Sequence, residues 1–384
     1  MIPLAVPNLT GREKEYLNNC IDTTYVSSVG EYVTRLEKMT ADVTENNYAV
    51  ATSSGTTGLH ITLLASGVKA EELVIVPAFT FIASANAVAH CGAIPWIMDI
   101  RNMDWCLDPD LVRSELEQNC VVQEGKLIHK ADGRRVAAIM PVYTLGNIPN
   151  MQKFQAMAKE YGIPLIVDAA CAIGALYNGE PFGKLADVSV ISFNGNKTIT
   201  SGGGGMVVGN DKELIDRIRH LTTTARVGIE YDFDMVGYNY RMTNIQAAVG
   251  CAQMERLEEF VKRKREIRHF YASAFECLVD MGISLFRETP GGSCWLSGLV
   301  LPKGKTLDDV RRITGRLREK GIESRAFWKP VHLQKPFKNV PCILKGVAED
   351  LWGRIVTLPC STNITNAELE YVAGSMKEVL KNEL

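Results

Sequence analysis

The chain has 384 residues, 46 % of them hydrophobic and 22 % charged, with a formal net charge of −2 at pH 7. This length is enough to bury a large core divided between two domains, and the composition is typical of a soluble globular protein. The nearly neutral charge gives no reason to expect nucleic acid or an anionic membrane as a partner.

Ten cysteines and six histidines are scattered along the chain without the paired spacing of metal ligands, and no C-x-x-C pair occurs. We therefore expect free thiols in a reducing compartment and no metal site. Residues 1–7 are too few and too rich in proline for a signal peptide, and no stretch is long enough to span a bilayer. These features predict a cytoplasmic protein.

A cluster of small residues at 51–58 precedes an apolar pattern at 59–67 that predicts a helix. Ser54, Gly55 and Thr56 then lie at the helix N-terminus, where free N–H groups and the helix dipole favour an anion such as a cofactor phosphate. Plain N-capping is the alternative. Neither G-x-x-x-x-G-K-[ST] nor G-x-G-x-x-G occurs, so a nucleoside triphosphate or dinucleotide site has no support.

Short apolar runs follow, separated by helical stretches, which is the pattern of a buried and mainly parallel sheet with crossover helices. The predicted strands are 73–76, 94–99, 136–142, 165–167 and 188–192, with 204–209 as a hairpin-like strand beside Lys197. We therefore predict an α/β fold.

Asp168 ends one of these apolar runs and is followed by small residues at 169–174. The carboxyl end of a parallel strand is where open α/β sheets place their ligands. A carboxylate there could keep the ring nitrogen of pyridoxal protonated, and the small residues leave a flat surface for the ring. Capping of the following turn is the alternative.

Lys197 follows the predicted strand 188–192 and precedes four consecutive glycines, 202–205. A lysine that forms a Schiff base must be held rigidly and needs room beside it. The strand and its small-residue turn supply the rigidity, and the glycines allow close approach of backbone and cofactor. The alternative is an ordinary solvated lysine in a surface loop, which the presence of Asp168 makes the weaker interpretation.

The C-terminal third predicts a second, smaller domain. A long helical pattern runs from Thr243 to about residue 278, and a strand at 294–301, a helix at 307–320 and a strand at 321–326 follow. We predict a large domain over 1–250, and a linking helix with a small C-terminal α/β domain over 251–384.

Four separated motifs occur in the order typical of one known family: 54–56, 77–87, 168–170, and Lys197 with its glycines. Together they resemble the nucleotide-sugar aminotransferases of the DegT/DnrJ/EryC1/StrS family, which are fold-type I enzymes that depend on pyridoxal 5′-phosphate (PLP). The resemblance covers essentially the whole chain. Residues 192–206 are most similar to the branch that aminates C4 of 4-keto-6-deoxy-N-acetylhexosamine nucleotides in bacillosamine and legionaminic acid biosynthesis.

The resemblance implies roles for particular residues. Lys197 would bind PLP covalently and move the proton during transfer, and Asp168 would pair with the ring nitrogen. Cys171 stands where family members often have Gln or His bonded to the phenolic oxygen of PLP. The remaining implied cofactor contacts are Ser54, Gly55, Thr56, Phe81 against the ring face, Ser192, Asn194 and Asn239. Core packing is the alternative for Phe81.

Asn239 matches the family asparagine that reaches the phosphate of the neighbouring subunit's cofactor, which implies a homodimer with shared active sites. The alternative is an ordinary turn residue before a helix opened by a capping-box pattern at 243–246. Arg241 could bind the carboxylate of the amino donor or form an interface ion pair. Further implied substrate contacts are Ser28, Phe327, Trp328 and His332.

The resemblance implies transfer of an amino group from L-glutamate to a nucleotide-linked ketosugar, with UDP-N-acetyl-4-keto-6-deoxyglucosamine as the expected acceptor in cell-surface glycan biosynthesis. A GDP- or dTDP-linked ketosugar, an amino-acid aminotransferase and a non-catalytic PLP-binding regulatory protein are the alternatives. Related 3-dehydratases replace the lysine, so Lys197 argues against that activity.

Overall fold

The computed structural model describes residues 1–383. Its α-helices, in chain order, are α1 (Glu13–Asp22), α2 (Glu31–Thr44), α3 (Gly55–Ala65), α4 (Ala83–His90), α5 (Pro109–Asn119), α6 (Met151–Tyr161), α7 (Lys212–Thr222), α8 (Asn244–Met254), α9 (Leu257–Ala274), α10 (Leu307–Glu319), α11 (Val347–Trp352) and α12 (Asn366–Glu383). Several begin with side-chain caps, such as Ser54 for α3 and Thr243 for α8.

The strands are mostly short. In chain order they are β1 (Tyr48–Thr52), β2 (Leu73–Pro77), β3 (Ile94–Met98), β4 (Cys120–Gln123), β5 (Lys126–His129), β6 (Val136–Ile139), β7 (Ile166–Asp168), β8 (Leu176–Tyr177), β9 (Glu180–Pro181), β10 (Val188–Ser192), β11 (Gly205–Gly209), β12 (Arg226–Val227), β13 (Asp232–Phe233), β14 (Ser284–Leu285), β15 (Ser297–Val300), β16 (Cys342–Ile343) and β17 (Ile355–Leu358).

The central sheet consists of two four-stranded groups, β16-β3-β2-β6 and β1-β11-β10-β7. Parallel bridges between Ile139 and Leu165 and between Val142 and Asp168 join the two groups at β6 and β7. Only β11 runs against its neighbours. The predicted mainly parallel sheet, and 204–209 as a strand antiparallel to the one before Lys197, are confirmed.

Both faces of this sheet are covered. Along β2, Val74 and Val76 belong to one buried cluster, whereas Leu73 and Ile75 belong to the other. Alternate side chains of a strand point to opposite faces, so a strand that is apolar on every residue must lie between two layers of helices. This burial holds the carboxyl ends of the strands in fixed positions.

A smaller antiparallel sheet, β14-β15-β17, lies in the C-terminal third together with α10 and α12. The pairing of β16 with β3 also joins this part of the chain to the central sheet. The predicted domain boundary at residue 250 stays a prediction. Within residues 1–383, no helix combines the length and the apolar character needed to cross a membrane.

Two predicted elements are wrong in detail. The continuous helix over 243–278 is instead two helices, because Arg256 leaves helical geometry at φ −112° and ψ 13° while its guanidinium bonds Glu259 and Thr10. The strand predicted at 321–326 forms only one bridge, between Ile322 and Ile2. Gly321 is left-handed (φ +74°), and both backbone polar groups of Arg325 bond the side-chain hydroxyl of Thr357.

Candidate active site

A cavity of about 480 Å³ opens at the carboxyl ends of the central strands. Its lining includes most of the residues singled out from the sequence: Ser54, Gly55, Thr56, Phe81, Asp168, Cys171, Ser192, Asn194, Lys197, Phe327 and Trp328. Segments far apart in the chain therefore meet around one lysine, at the edge where a parallel sheet is expected to bind its ligand.

Lys197 lies in a tight loop between β10 and β11. Its backbone N–H bonds the carbonyl of Asn194 at 3.0 Å, and the carbonyl of Phe193 accepts from Ser201 N–H at 2.9 Å. The side chain reaches into the cavity, with Nζ 3.3 Å from Sγ of Cys171 and 3.8 Å from the ring centroid of Trp295. The loop thus fixes the amine beside open space.

Asp168 ends β7, which is parallel to β10, and its residue partner there is Val190. Burial raises the pKa of Asp168, while hydrogen bonds from Ser84 Oγ and Ala170 N–H and the charge of Lys197 oppose that rise. Two hydrogen-bond donors favour the ionised form of this buried carboxylate, and an ionised carboxylate can pair with a cation. A protonated ring nitrogen is such a cation.

The first turn of α3 forms an anion cradle beside Ser192. Ser54 Oγ accepts from Thr57 N–H at 3.1 Å, and Gly58 N–H donates to the Ser54 carbonyl, which leaves Gly55 and Thr56 N–H without partners in the helix. A Cβ on Gly55 would lie only 3.1 Å from Cβ of Ser192, so glycine permits this close approach. Together with Lys197 and Asp168, the cradle fits PLP: an amine, a partner for the ring nitrogen, and donors for a phosphate.

Aromatic side chains form one wall of the cavity. Phe81 is 55 % exposed, which rules out the alternative that it only packs in the core. Its ring lies 6.1 Å from that of Trp328, which in turn stacks on Phe327 at 4.3 Å. The wall offers flat apolar surface to a ring or a nucleobase.

Four residues implied as contacts lie outside this cavity. Ser28, Asn239 and Arg241 line a second cavity of about 560 Å³. Arg241 is also engaged with Glu37 at 2.8 Å. His332 lines neither cavity, and its Nε2 is paired with Glu349 Oε1 at 2.9 Å. Their roles toward cofactor and substrate stay predictions.

Two residues of the site were missed in the sequence. Ser84 lies within the motif 77–87, but its contact with Asp168 depends on the packing of α4 on the sheet. Trp295 lies in a segment predicted as a strand, and no spacing pattern connects it with Lys197.

Among residues 1–383, no group of three or more His, Cys, Asp or Glu is placed to hold a metal ion.

The fold and the site define a PLP-dependent enzyme of fold type I. The model of the DegT/DnrJ/EryC1/StrS aminotransferase family matches residues 7–377, so the chain belongs to this family. The chain is 37 % identical over 380 residues to the GDP-perosamine synthase of Escherichia coli O157:H7, with 98 % of each chain covered.

Two further proteins extend the comparison. The UDP-4-amino-4,6-dideoxy-N-acetyl-beta-L-altrosamine transaminase of Campylobacter jejuni serotype O:2 is 35 % identical over 356 residues, 92 % of this chain and 90 % of that one. The aminotransferase PseC of Helicobacter pylori, involved in pseudoaminic acid biosynthesis, shares the fold with a TM-score of 0.87 at 21 % identity, covering 99 % of both chains. The protein is a PLP-dependent nucleotide-sugar aminotransferase.

Proposed function

We propose that the protein transfers the amino group of L-glutamate to C4 of UDP-N-acetyl-4-keto-6-deoxyglucosamine. The observation that carries this proposal is the position of Lys197 Nζ in a cavity that also holds Asp168, the N-terminus of α3 and an aromatic wall. The similarity to the Campylobacter UDP-sugar transaminase and the sequence 192–206 support the acceptor.

Each part of the cofactor would be bound by a different group of residues. Gly55 and Thr56 N–H groups and Ser192 bind the phosphate, Phe81 covers the ring face, and Asp168 keeps the ring nitrogen protonated. When bound, PLP supplies an electron sink and carries the amino group between donor and acceptor.

Lys197 acts on protons in both halves of the reaction. Its amine would take the proton from Cα of L-glutamate and would later deliver a proton to C4 of the sugar. The nitrogen of L-glutamate stays with the cofactor, and water supplies the carbonyl oxygen of 2-oxoglutarate. Cys171, whose Sγ lies 3.3 Å from Nζ, would contact the phenolic oxygen of the cofactor. Phe327 and Trp328 lie where they can pack on the nucleotide.

We further propose that the active site is completed by a second copy of the chain. Asn239, Arg241 and Ser28 lie together in the second cavity with Arg226, and Lys197 does not line that cavity. The adjacent segment 226–236 leaves large apolar side chains in water, including Ile229 (92 % exposed), Tyr231 and Val236. Such an apolar projection fits burial in a dimer, which would bring Asn239 to the partner's phosphate.

A GDP-linked 4-keto-6-deoxy sugar is the second candidate acceptor. The 37 % identity to the Escherichia coli GDP-perosamine synthase, which extends over 98 % of both chains, favours it. The two acceptors differ in the nucleobase and at C2 of the sugar. Residues that contact these groups would therefore discriminate between the acceptors, whereas Lys197 and Asp168 would act in the same way on both.

The visible spectrum of the PLP-loaded protein tests the proposal in two additions. L-Glutamate is expected to bleach the absorption band of bound PLP, and the UDP-linked ketosugar to restore it. Restoration only by the GDP-linked sugar would favour the second candidate. A band that L-glutamate leaves unchanged would contradict the donor, and the same additions to Lys197→Ala provide the inactive control.

A further inference from the structure

The amine of Lys197 lies over the face of the indole ring of Trp295. Nζ is 3.8 Å from the centroid of Trp295, well within the range of a cation–π contact. Trp295 is only 3 % exposed, and its ring lies 5.8 Å from that of Trp328. A desolvated indole is the strongest aromatic partner that a protein offers an ammonium group.

The indole is fixed to the loop that carries the lysine. Nε1 of Trp295 donates to the carbonyl of Asn196, the residue directly before Lys197, at 2.7 Å. The backbone N–H of Trp295 also bonds the carbonyl of Leu145 at 3.2 Å. Because one bond anchors the ring to the Lys197 loop and the other anchors its backbone, ring face and amine keep a defined relation.

The other contacts of Nζ do not provide a free counter-charge. Burial raises the pKa of the Cys171 thiol, so Sγ at 3.3 Å is a neutral acceptor at neutral pH. The oxygens of Asp168 accept hydrogen bonds from Ser84 and Ala170, and this side chain is the one proposed above to pair with the ring nitrogen of the cofactor. The ring face of Trp295 is therefore the group best placed to stabilise the ammonium form of Lys197.

We propose that Trp295 is a positioning residue that holds Nζ of Lys197 over its ring, as the ammonium group formed when the free amine has taken up a proton, until the lysine passes that proton on. The inference rests on the transamination proposed above, in which Lys197 is free of the cofactor during part of each half-reaction and moves protons at defined atoms. Without the ring, the four-carbon side chain would sample several rotamers, and fewer of them would reach the reacting carbon.

A pair of variants isolates the ring face. Trp295→Phe and Trp295→Leu both lose the bond to Asn196, but only Phe keeps an aromatic face. We expect kcat of Trp295→Leu to lie about tenfold below that of Trp295→Phe, with KM for the sugar within about twofold. Trp96→Leu, which removes a buried tryptophan of β3 outside the cavity, measures the general effect of such a loss. Equal kcat in the Phe and Leu variants would overturn the proposal.

A spectroscopic measurement tests the contact without turnover. The protein is loaded with pyridoxamine 5′-phosphate, its lysines are ¹³C-methylated, and the Lys197 signal is identified by its absence in Lys197→Arg. The ring current should shift this signal upfield in the wild type, less in Trp295→Phe and not in Trp295→Leu. A wild-type signal among those of solvent-exposed lysines would overturn the proposal. The pyridoxamine-loaded protein is prepared without an amino donor. The measurement therefore tests the Trp295 contact even if L-glutamate proves not to be the donor.

Discussion

The hydroxyl of Ser84 donates a hydrogen bond to Oδ2 of Asp168 at 2.6 Å, and both side chains are buried. Ser84 lies in the first turn of α4, whereas Asp168 ends β7, so the contact depends on how that helix packs on the sheet. A bond to the ionised carboxylate favours that form over the acid. Ser84 therefore opposes the desolvation that raises the pKa of Asp168.

Replacing Ser84 with Ala should weaken PLP binding, most strongly at acid pH. Loss of the hydroxyl raises the pKa of Asp168 further, so a larger fraction of the group is neutral as the pH falls and cannot pair with a protonated ring nitrogen. We expect the PLP dissociation constant to rise about tenfold and its acid limb to move to higher pH. Titration of the cofactor-free protein with PLP between about pH 5 and 8 measures both.

Ser189→Ala is the matched control for this change. Ser189 is also buried, in β10, and its hydroxyl has no hydrogen-bond partner. Its loss should leave PLP affinity unchanged at every pH. Equal losses of affinity in the two variants would mean that general loosening of the core, rather than support of Asp168, explains the effect.

Asp168→Asn should make the cofactor-free protein more stable while removing its activity. Because burial raises the pKa of Asp168 in the folded state, ionising this group costs folding stability. The cost is absent below the ordinary carboxyl pKa and grows as the pH rises through the folded pKa. The melting temperature of the variant should therefore exceed that of the wild type at neutral pH, and the difference should vanish in acid. A variant that melts lower at neutral pH would contradict this.

Much of the fold followed from local patterns. Runs that are apolar at every residue, such as 73–76 and 188–192, predicted strands covered on both faces, and the structure places them so. The carboxyl ends of neighbouring parallel strands meet at one edge. This is why Asp168, which ends β7, and Lys197, in the loop after the adjacent strand β10, could be expected near one another.

Contacts between distant segments could not be predicted in this way. The helical period continues through 254–257, and the break falls where Arg256 bonds Thr10 of the N-terminal segment. Ser84 and Trp295 meet Asp168 and Lys197 through packing of separate elements, for which no local spacing exists. The position of Asn239 and Arg241 in a second cavity could not be predicted from the sequence either.

Gly55→Ala should weaken cofactor binding without disturbing the fold. The added Cβ would lie 3.1 Å from Cβ of Ser192, so Ser192 or the first turn of α3 must give by a few tenths of an ångström, and both belong to the phosphate cradle. We expect the PLP dissociation constant to rise about tenfold, the loss of one good charge-assisted hydrogen bond. Titration with PLP measures it, and circular dichroism checks the fold.

Gly374→Ala supplies the control for that glycine. Gly374 lies exposed in α12, and nothing within 4 Å would meet a Cβ there. Alanine in an exposed helix should stabilise the protein by about 0.5–1 kcal/mol and leave PLP affinity unchanged. If Gly55→Ala also bound PLP as the wild type does, the proposed phosphate contact at the start of α3 would be wrong.

Mixing two impaired variants should restore activity if the active site is shared. Lys197→Ala lacks the reactive amine, and Asn239→Ala should lose PLP affinity because it lacks the contact to the partner's phosphate. In a mixed dimer, one site combines Lys197 from one chain with Asn239 from the other and is complete. After exchange of equal amounts, half of the dimers are mixed, so activity should reach about one quarter of the wild type at PLP concentrations that load the wild type only. Mixtures no more active than the mean of the two separate variants would place Asn239 and Lys197 in the same site of one chain, or outside the site altogether.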